Sequence, residues 1–144
     1  EVDKRSMFVA IADGARCLVT PEEIQKVCHA AYQWGAASAG LKVADTVKTV
    51  DKSAFIEATP DREFVWLAQT PQVSAPNLYR VAPYACREEK FVATDDNQLL
   101  EHVHIPVKMV KCRRENIKIT EPTDIAFAEA ILALRAKANA EETK

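Results

Sequence analysis

An aspartate, a glycine and an arginine lie close together in the segment Asp13-Gly14-Ala15-Arg16, which follows a short apolar run. The carboxylate of Asp13 could hold a divalent metal ion, and Gly14 lets the backbone approach a ligand closely because it has no side chain. The alternative is a simple turn with a solvated pair of charges, which the spacing alone favours slightly. The segment is therefore a candidate ligand-binding loop.

A lysine lies between two apolar residues in the segment Asn116-Ile117-Lys118-Ile119-Thr120. With the period of a strand, Ile117 and Ile119 face one side and Lys118 faces the other. A lysine at the carboxyl edge of a sheet could stabilise charge that develops on a transferred phosphoryl group. The alternative is an edge-strand lysine that discourages aggregation.

Two further basic features could bind anions. Arg62, in Thr59-Pro60-Asp61-Arg62, could bind a phosphate through two hydrogen bonds, or could pair with Asp61 at the surface. The basic run at 111–114 is more often a solvated turn than an anion-binding patch. These features support a phosphate-binding α/β domain, and none of them identifies the substrate.

The elements that would position these residues begin with a strand, a loop and a helix. Residues 7–11 predict a short buried strand. Thr20 and Glu23 form a capping box around Pro21 at the start of the helix, and Gly40 is its predicted stop. This order favours an α/β domain with a parallel sheet, in which ligands bind beyond the carboxyl ends of the strands.

Two β-prone runs, 46–50 and 55–59, flank the loop 51–54 and predict an antiparallel hairpin. Few of its residues are large and apolar, and an isolated hairpin is marginally stable in water. We therefore expect the hairpin to lie against another subunit or against the rest of the fold.

The second half of the chain predicts shorter elements and one long helix. The predicted strands are 64–67, 107–110 and 117–119. Thr94 is predicted to cap a short helix over 95–101, whereas Pro83 would kink or break a helix over 77–90. The long helix begins at Pro122 and is rich in strong helix formers.

The composition is that of one globular domain of 144 residues, with 48% apolar and 28% charged residues. A net charge of −2 gives no electrostatic case for nucleic-acid binding. No apolar stretch approaches the roughly 18 residues of a membrane span, and no secretory signal is recognisable at the start. The four cysteines form no C-x-x-C pair and are expected to be free thiols, so we expect a cytoplasmic protein.

Six segments, taken in order, resemble the 2-C-methyl-D-erythritol 4-phosphate cytidylyltransferases of the non-mevalonate isoprenoid pathway. They are ADGAR at 12–16, DTVK at 45–48, TPDR at 59–62, AQTPQ at 68–72, TDD at 94–96 and NIKIT at 116–120. The resemblance extends over nearly the whole chain. It implies a Rossmann-like nucleotidyltransferase sheet with a protruding β-hairpin arm, residues 46–60, and a homodimer whose arms embrace.

The resemblance implies a reaction in which CTP and methylerythritol phosphate form a cytidine diphosphate conjugate and release pyrophosphate. Asp13 would carry the metal ion, expected to be Mg²⁺, and would contact the nucleotide together with Gly14. Lys118 would stabilise the charged transition state, with Arg16 nearby.

The resemblance also assigns the acceptor pocket. Thr46, Thr70 and Thr94 would line the methylerythritol phosphate site. Arg62 would reach the same substrate from the partner subunit.

The sequence departs from the family pattern in several places. Ala12 stands where the family usually has histidine, and Val73 follows the AQTPQ segment where an aromatic residue is usual. Such enzymes open with a Gly- and Arg-rich loop that cradles the CTP phosphates, and this sequence has only three glycines and no such loop. We therefore expect residues 1–144 to form a single, incomplete domain that corresponds to the C-terminal part of a typical member.

Two alternatives remain open at this point. The related transfer of CMP to ribitol phosphate uses a similar motif order, and a screen of acceptor phosphates distinguishes the two enzymes. A non-catalytic dimerisation or binding module belongs to a different functional class, and CTP binding distinguishes it from an enzyme.

Overall fold

The structure, a computed structural model, describes Asp3 and residues 5–142, except for the side chains of Arg80 and Glu142. Its elements in chain order are β1 Val9–Ile11, α1 Pro21–Trp34, β2 Ala36–Lys42, β3 Thr49–Val50, β4 Ile56–Ala58, a 3₁₀ turn Arg62–Phe64, β5 Trp66–Ser74, α2 Leu78–Glu88, α3 Asp96–His102, β6 Lys108–Lys111 and α4 Pro122–Glu142.

Four of the strands form one mixed sheet in the order β1-β5-β2-β6. The expectation of a parallel sheet is wrong for β5, which runs antiparallel to both of its neighbours, whereas β2 and β6 are parallel. The chain reaches β5 from β2 through the β3–β4 hairpin and not through a crossover helix, so it returns in the opposite direction. β1, β2 and β6 therefore share one direction, and their carboxyl ends lie at the same edge.

Strand β5 is longer than predicted and begins later. The predicted start, at residue 64, belongs to the 3₁₀ turn, which Asp61 caps by accepting a hydrogen bond from the Glu63 N–H (3.0 Å). The strand continues past its predicted end at residue 67 and through Pro71. Residues 69–71 face the single residue Ala39 of β2, and Pro71, which has no N–H, is accommodated in this irregularity.

Helix α1 begins as predicted, because Thr20 and Glu23 form a reciprocal capping box. The helix ends at Gly35, whose φ of 88° suits glycine, and not at the predicted Gly40. Gly40 lies inside β2, where an added Cβ would be 3.2 Å from the Leu67 carbonyl oxygen. The second glycine therefore permits close strand packing and does not end a helix.

Small residues of β2 place helices on both faces of the sheet. One core cluster joins α1 to the sheet and contains Val27, Ala31, Ala37, Ala39, Val73, Val110 and Cys112. A second cluster of Ala36, Ala82 and Leu100 joins β2 to α2 and α3. The predicted buried strand β1 is only partly buried, because it pairs with β5 alone. All four cysteines are free, as predicted.

The remaining elements differ from the predictions in detail. Helix α2 continues through Pro83. The cap of α3 is Asp95, whose carboxylate accepts from the Gln98 N–H (2.9 Å), and not Thr94. Residues 117–119 form no strand, because their backbone joins no ladder and Ile119 N–H donates instead to the Ala15 carbonyl (2.9 Å).

Helix α4 begins at Pro122 as predicted. In the described part of the chain, no helix combines the length and the apolar character that a membrane crossing requires.

The predicted hairpin is confirmed, although its strands are shorter than the sequence suggested. β3 and β4 pair antiparallel as a separate two-stranded sheet whose residues are all exposed. At its base the Lys48 ammonium donates to the Thr59 hydroxyl (2.7 Å), and the Arg62 guanidinium donates to the Ala44 carbonyl (3.0 Å). The hairpin is thus anchored at one end and exposed over the rest of its length.

Candidate functional site

A cavity of about 240 Å³ opens at the sheet edge where β1 and β6 end. Five of the residues proposed from the sequence line it: Asp13, Arg16, Thr70, Thr94 and Lys118. The other lining residues are Ile11, Ala68, Gln69, Gln72, Asp95 and Asp96. Segments more than 100 residues apart in the chain therefore meet at one site.

The sheet topology explains why these residues meet. Asp13 follows the carboxyl end of β1, and Lys118 lies in the loop that follows β6. Thr70 belongs to β5, which runs in the opposite direction and pairs Gln72 with Ile11. This register carries the middle of β5 past the end of β1, so a hydroxyl from inside a strand reaches the same edge.

Asp13 is the centre of the site. Its N–H donates to the Thr70 Oγ1 at 2.9 Å. Its Oδ2 lies 3.3 Å from Arg16 Nε and 3.3 Å from Lys118 Nζ. One carboxylate oxygen therefore draws two cations into the cavity. The interpretation of this segment as a solvated charge pair is wrong for Arg16, since only 11% of its side chain is exposed.

Arg16 is held by backbone carbonyl groups as well as by Asp13. Its Nη1 donates to the Asn116 carbonyl at 2.8 Å, and its Nη2 is 3.5 Å from the Ala68 carbonyl oxygen. Lys118 is more accessible, with 47% of its side chain exposed. An ammonium has three N–H donors, so Lys118 can pair with Asp13 and still bind an anion. Arg16 thus supplies a positive charge held in one place, and Lys118 supplies an accessible positive charge that retains donors for a ligand.

Two further carboxylates, Asp95 and Asp96, line the cavity. The Gln72 side chain donates to Asp95 Oδ2 (3.0 Å) and accepts from the Asn97 N–H (3.1 Å), which ties β5 to the start of α3. Burial raises the pKa of Asp96, and the negative charges of Asp95 and Asp13 raise it further. The cavity therefore has both cations and carboxylates among its lining residues.

Thr94 is an exposed lining residue of the cavity. Its hydroxyl is 3.2 Å from Gln98 Oε1, which also accepts from the Thr94 N–H at 2.7 Å. Its hydroxyl is thus held in place beside the cavity that it lines.

The donor set fits a divalent metal only when other ligands contribute. In the described part of the chain no three His, Cys, Asp or Glu side chains are grouped to hold a metal ion. Mg²⁺, however, is commonly bound by one or two carboxylates together with substrate phosphates and water. Asp13 is 34% exposed and fits as a single carboxylate ligand of that kind.

Three residues proposed from the sequence do not line the cavity. Thr46 and Arg62 belong to the exposed segment at the base of the hairpin. Gly14 lies in the exposed turn after Asp13, and a Cβ there would meet no atom within 4 Å. The basic run at 111–114 is exposed except for Cys112 and lies outside the cavity.

Residue-type reasoning missed Gln72 and Asn116. Both are buried amides that connect segments of the site, and neither carries a charge that would draw attention to it. The sequence feature that could have identified them is their position in the segments AQTPQ and NIKIT, which resemble the family. The order of these segments does not indicate what the two amides contact.

The helix layers, the mixed sheet and the cavity at its carboxyl edge are those of a Rossmann-like nucleotidyltransferase. Residues 1–134 match the family model for 2-C-methyl-D-erythritol 4-phosphate cytidylyltransferase (IspD). The chain belongs to this family, as the motif order predicted.

Similar proteins and structures carry the same family name. A 2-C-methyl-D-erythritol 4-phosphate cytidylyltransferase of Caldanaerobacter subterraneus subsp. tengcongensis is 47% identical over 131 residues, which is 91% of this chain and 58% of that protein. One from Pelotomaculum thermopropionicum is 42% identical over 128 residues, covering 89% of this chain and 54% of that protein.

Among solved structures, 4-diphosphocytidyl-2C-methyl-D-erythritol synthase from Anaerococcus prevotii matches with a TM-score of 0.84 and 34% identity. The match covers 92% of this chain and 61% of that one. The cytidylyltransferase of Thermus thermophilus matches with a TM-score of 0.77 and 34% identity, covering 88% and 62%. The chain therefore spans little more than half the length of the curated relatives that it matches.

Proposed function

We propose that this chain provides the acceptor-binding and charge-stabilising part of an enzyme that transfers CMP from CTP to 2-C-methyl-D-erythritol 4-phosphate and releases pyrophosphate. The observation that carries the proposal is the meeting of Arg16 and Lys118 on Asp13 in a cavity lined by Thr70 and Thr94. Family membership and the names of the relatives support the choice of substrates.

In the proposed reaction an oxygen of the acceptor phosphate attacks the α-phosphorus of CTP in line. The bond from that phosphorus to the bridging oxygen breaks, and pyrophosphate leaves. Catalysis of this kind depends on positioning and on neutralising charge. Lys118 would neutralise charge on the transferring phosphoryl group, because its ammonium is accessible and retains donors. Arg16 would add a fixed positive charge next to it.

Asp13 and Gly14 would contact the nucleotide in this proposal. Asp13 orients both cations through one carboxylate oxygen, and the exposed Gly14 leaves the backbone accessible beside it. Mg²⁺, when bound through Asp13 and the phosphates of CTP, would supply additional neutralisation of phosphate charge.

The acceptor would lie between two subunits. Thr70 and Thr94 line the cavity within this chain, whereas Thr46 and Arg62 would contribute from the partner subunit. The exposed hairpin supports a homodimer, because Phe55 is 73% and Ile56 is 63% exposed on it. Cytoplasmic location is part of the same proposal, in keeping with the free thiols.

The test uses a chimera, because the chain spans 58% of its Caldanaerobacter relative. The matching stretch of that enzyme is replaced by this chain, and pyrophosphate release is measured with CTP, Mg²⁺ and either methylerythritol phosphate or ribitol 5-phosphate. We expect turnover with methylerythritol phosphate, and Lys118→Ala should lower it by roughly 100-fold or more.

Lys108→Ala is the matched control. Lys108 is the first residue of β6, lies outside the cavity, and places its ammonium over the ring of Trp34 at the end of α1. The control variant should retain activity. Activity of a folded chimera with ribitol 5-phosphate alone would show that ribitol 5-phosphate, and not methylerythritol phosphate, is the acceptor. A folded chimera without turnover on either acceptor would indicate a non-catalytic module, and full turnover after Lys118→Ala would show that Lys118 is not catalytic.

A further inference from the structure

A buried amide connects the separate segments of the cavity. Asn116 is fully buried, at 0% exposed, and lies two residues before Lys118. Its side-chain Nδ2 donates to the Thr70 carbonyl in β5 at 2.9 Å. Thr70 is the residue whose hydroxyl holds the backbone of Asp13. The amide therefore joins the loop that carries Lys118 to the strand that supports Asp13.

The backbone carbonyl of Asn116 is a second point of connection. It accepts from Arg16 Nη1 at 2.8 Å and from Gln69 Nε2 at 3.2 Å. Two side chains from different segments thus converge on one oxygen. The location of that oxygen depends on the backbone of the loop, which the Nδ2 bond to Thr70 fixes.

Lys118 lies between two anchors of its loop. On one side the Asn116 side chain is bonded to β5, and on the other the Ile119 N–H donates to the Ala15 carbonyl at 2.9 Å. These residues form no strand, so no ladder fixes the position of the lysine. The two anchors therefore define where the Lys118 ammonium enters the cavity.

We propose that Asn116 is a positioning residue that sets the placement of both Arg16 and Lys118 in the site. It acts through the hydrogen bond from its side-chain amide to the Thr70 carbonyl and through its own backbone carbonyl, without touching the ligand. The role in catalysis rests on the proposed function, whereas the placement of Arg16 can be measured without it.

The experiment uses the 144-residue chain and two readouts. The first is the side-chain NMR signal of Arg16, which is sharp and slowly exchanging when the guanidinium is held. The second is the affinity for inorganic pyrophosphate, measured by calorimetry. In Asn116→Ala we expect the exchange protection of Arg16 to fall by roughly tenfold or more and pyrophosphate binding to weaken by a similar factor.

Asn97→Ala is the matched control. Asn97 is also a buried amide, at 5% exposed, and its Nδ2 also makes a 2.9 Å hydrogen bond, in this case to Ser38 Oγ. The control removes the same side-chain atoms and should leave the Arg16 signal unchanged. A merely structural effect would disturb both variants alike and would overturn the proposal.

A double-mutant cycle tests the shared action. If Asn116 acts through Arg16, Asn116→Ala should weaken pyrophosphate binding much less in the Arg16→Ala background than in the wild type. Fully additive effects together with an unchanged Arg16 signal would overturn the proposal.

Two remaining outcomes are decisive as well. If Asn116→Ala does not fold, the near-isosteric Asn116→Asp takes its place, and failure of both variants to fold would assign Asn116 to the core and overturn the proposal. If the wild type does not bind pyrophosphate while the Arg16 signal still depends on Asn116, the placement role is supported, and phosphate binding by Arg16 and Lys118 in the isolated chain is contradicted.

Discussion

The cavity and the hairpin differ in how much of their geometry the chain supplies by itself. In the cavity, Asp13, Arg16 and Asn116 are joined by hydrogen bonds that connect segments about 50 to 100 residues apart. In the hairpin, β3 and β4 pair only with each other, and their side chains are exposed. The cavity is therefore organised before any ligand arrives, whereas the hairpin retains exposed apolar surface.

The largest expected difference in stability comes from removing one carboxylate charge in each region. Asp13→Asn removes the counter-charge of the nearly buried Arg16, so we expect the free energy of unfolding to fall by about 2 kcal/mol. Asp61→Asn at the hairpin base should change it by less than about 0.5 kcal/mol, because Asp61 is exposed. Urea unfolding of both variants measures the difference. Equal losses would contradict the contrast.

A second comparison uses two threonine hydroxyl groups. Thr70→Val leaves the Asp13 N–H without its acceptor in a buried setting and should cost about 1 to 2 kcal/mol. Thr59→Val removes only an exposed contact with Lys48 and should cost less than about 0.5 kcal/mol. The same urea titration distinguishes them, and a Thr59 variant as costly as the Thr70 variant would be unexpected.

The third comparison separates folding from association. Phe55→Ser should change the free energy of unfolding by less than about 0.5 kcal/mol, because the ring is already exposed. If the arms form the homodimer, the same change should shift the chain from dimer to monomer in sedimentation equilibrium. Val92→Ser, at an exposed residue outside the hairpin, is the control and should leave association intact. Loss of association in both variants would locate the interface elsewhere.

The smallest expected effect depends on pH. Because burial raises the pKa of Asp96, the folded state binds its proton more tightly than the unfolded chain and loses stability as the pH rises above the ordinary value of 3.8. Asp96→Asn should therefore raise the thermal midpoint at neutral pH, and the difference should shrink as the pH falls below that value.

Asp124 supplies a control of opposite sign for this last prediction. Hydrogen bonds from Thr120 and Glu121 lower its pKa, so its contribution is present above the ordinary value and is lost on acidification. Asp124→Asn should lower the thermal midpoint at neutral pH. A shift of the same sign in both variants would contradict the two assignments.

The elements defined by local signals could be predicted from the sequence. The capping box of Thr20 and Glu23, the hairpin and the start of α4 at Pro122 depend on residues close together in the chain. The direction of β5 and its passage through Pro71 could not, because both depend on pairing with strands distant in sequence. Local patterns thus locate elements, and tertiary pairing decides their direction and extent.

The same distinction applies to the site. Charged residues with evident chemistry, such as Asp13 and Lys118, could be proposed from their types and motifs. The neutral connectors could not, because the role of Asn116 depends on where the Thr70 carbonyl and the Arg16 guanidinium lie. Residue type indicates what a group can do, and the fold determines which groups it reaches.

The carboxylate of Asp13 acts as an internal competitor for the cations of the cavity. Since one of its oxygens already engages Arg16 and Lys118, an incoming anion meets cations whose charge is partly neutralised and does not meet bare positive charge. The measured affinity for an anion is then lower than the two cations alone would give, because the Asp13 carboxylate offsets part of their attraction. Binding should consequently depend less steeply on ionic strength than binding to unpaired cations.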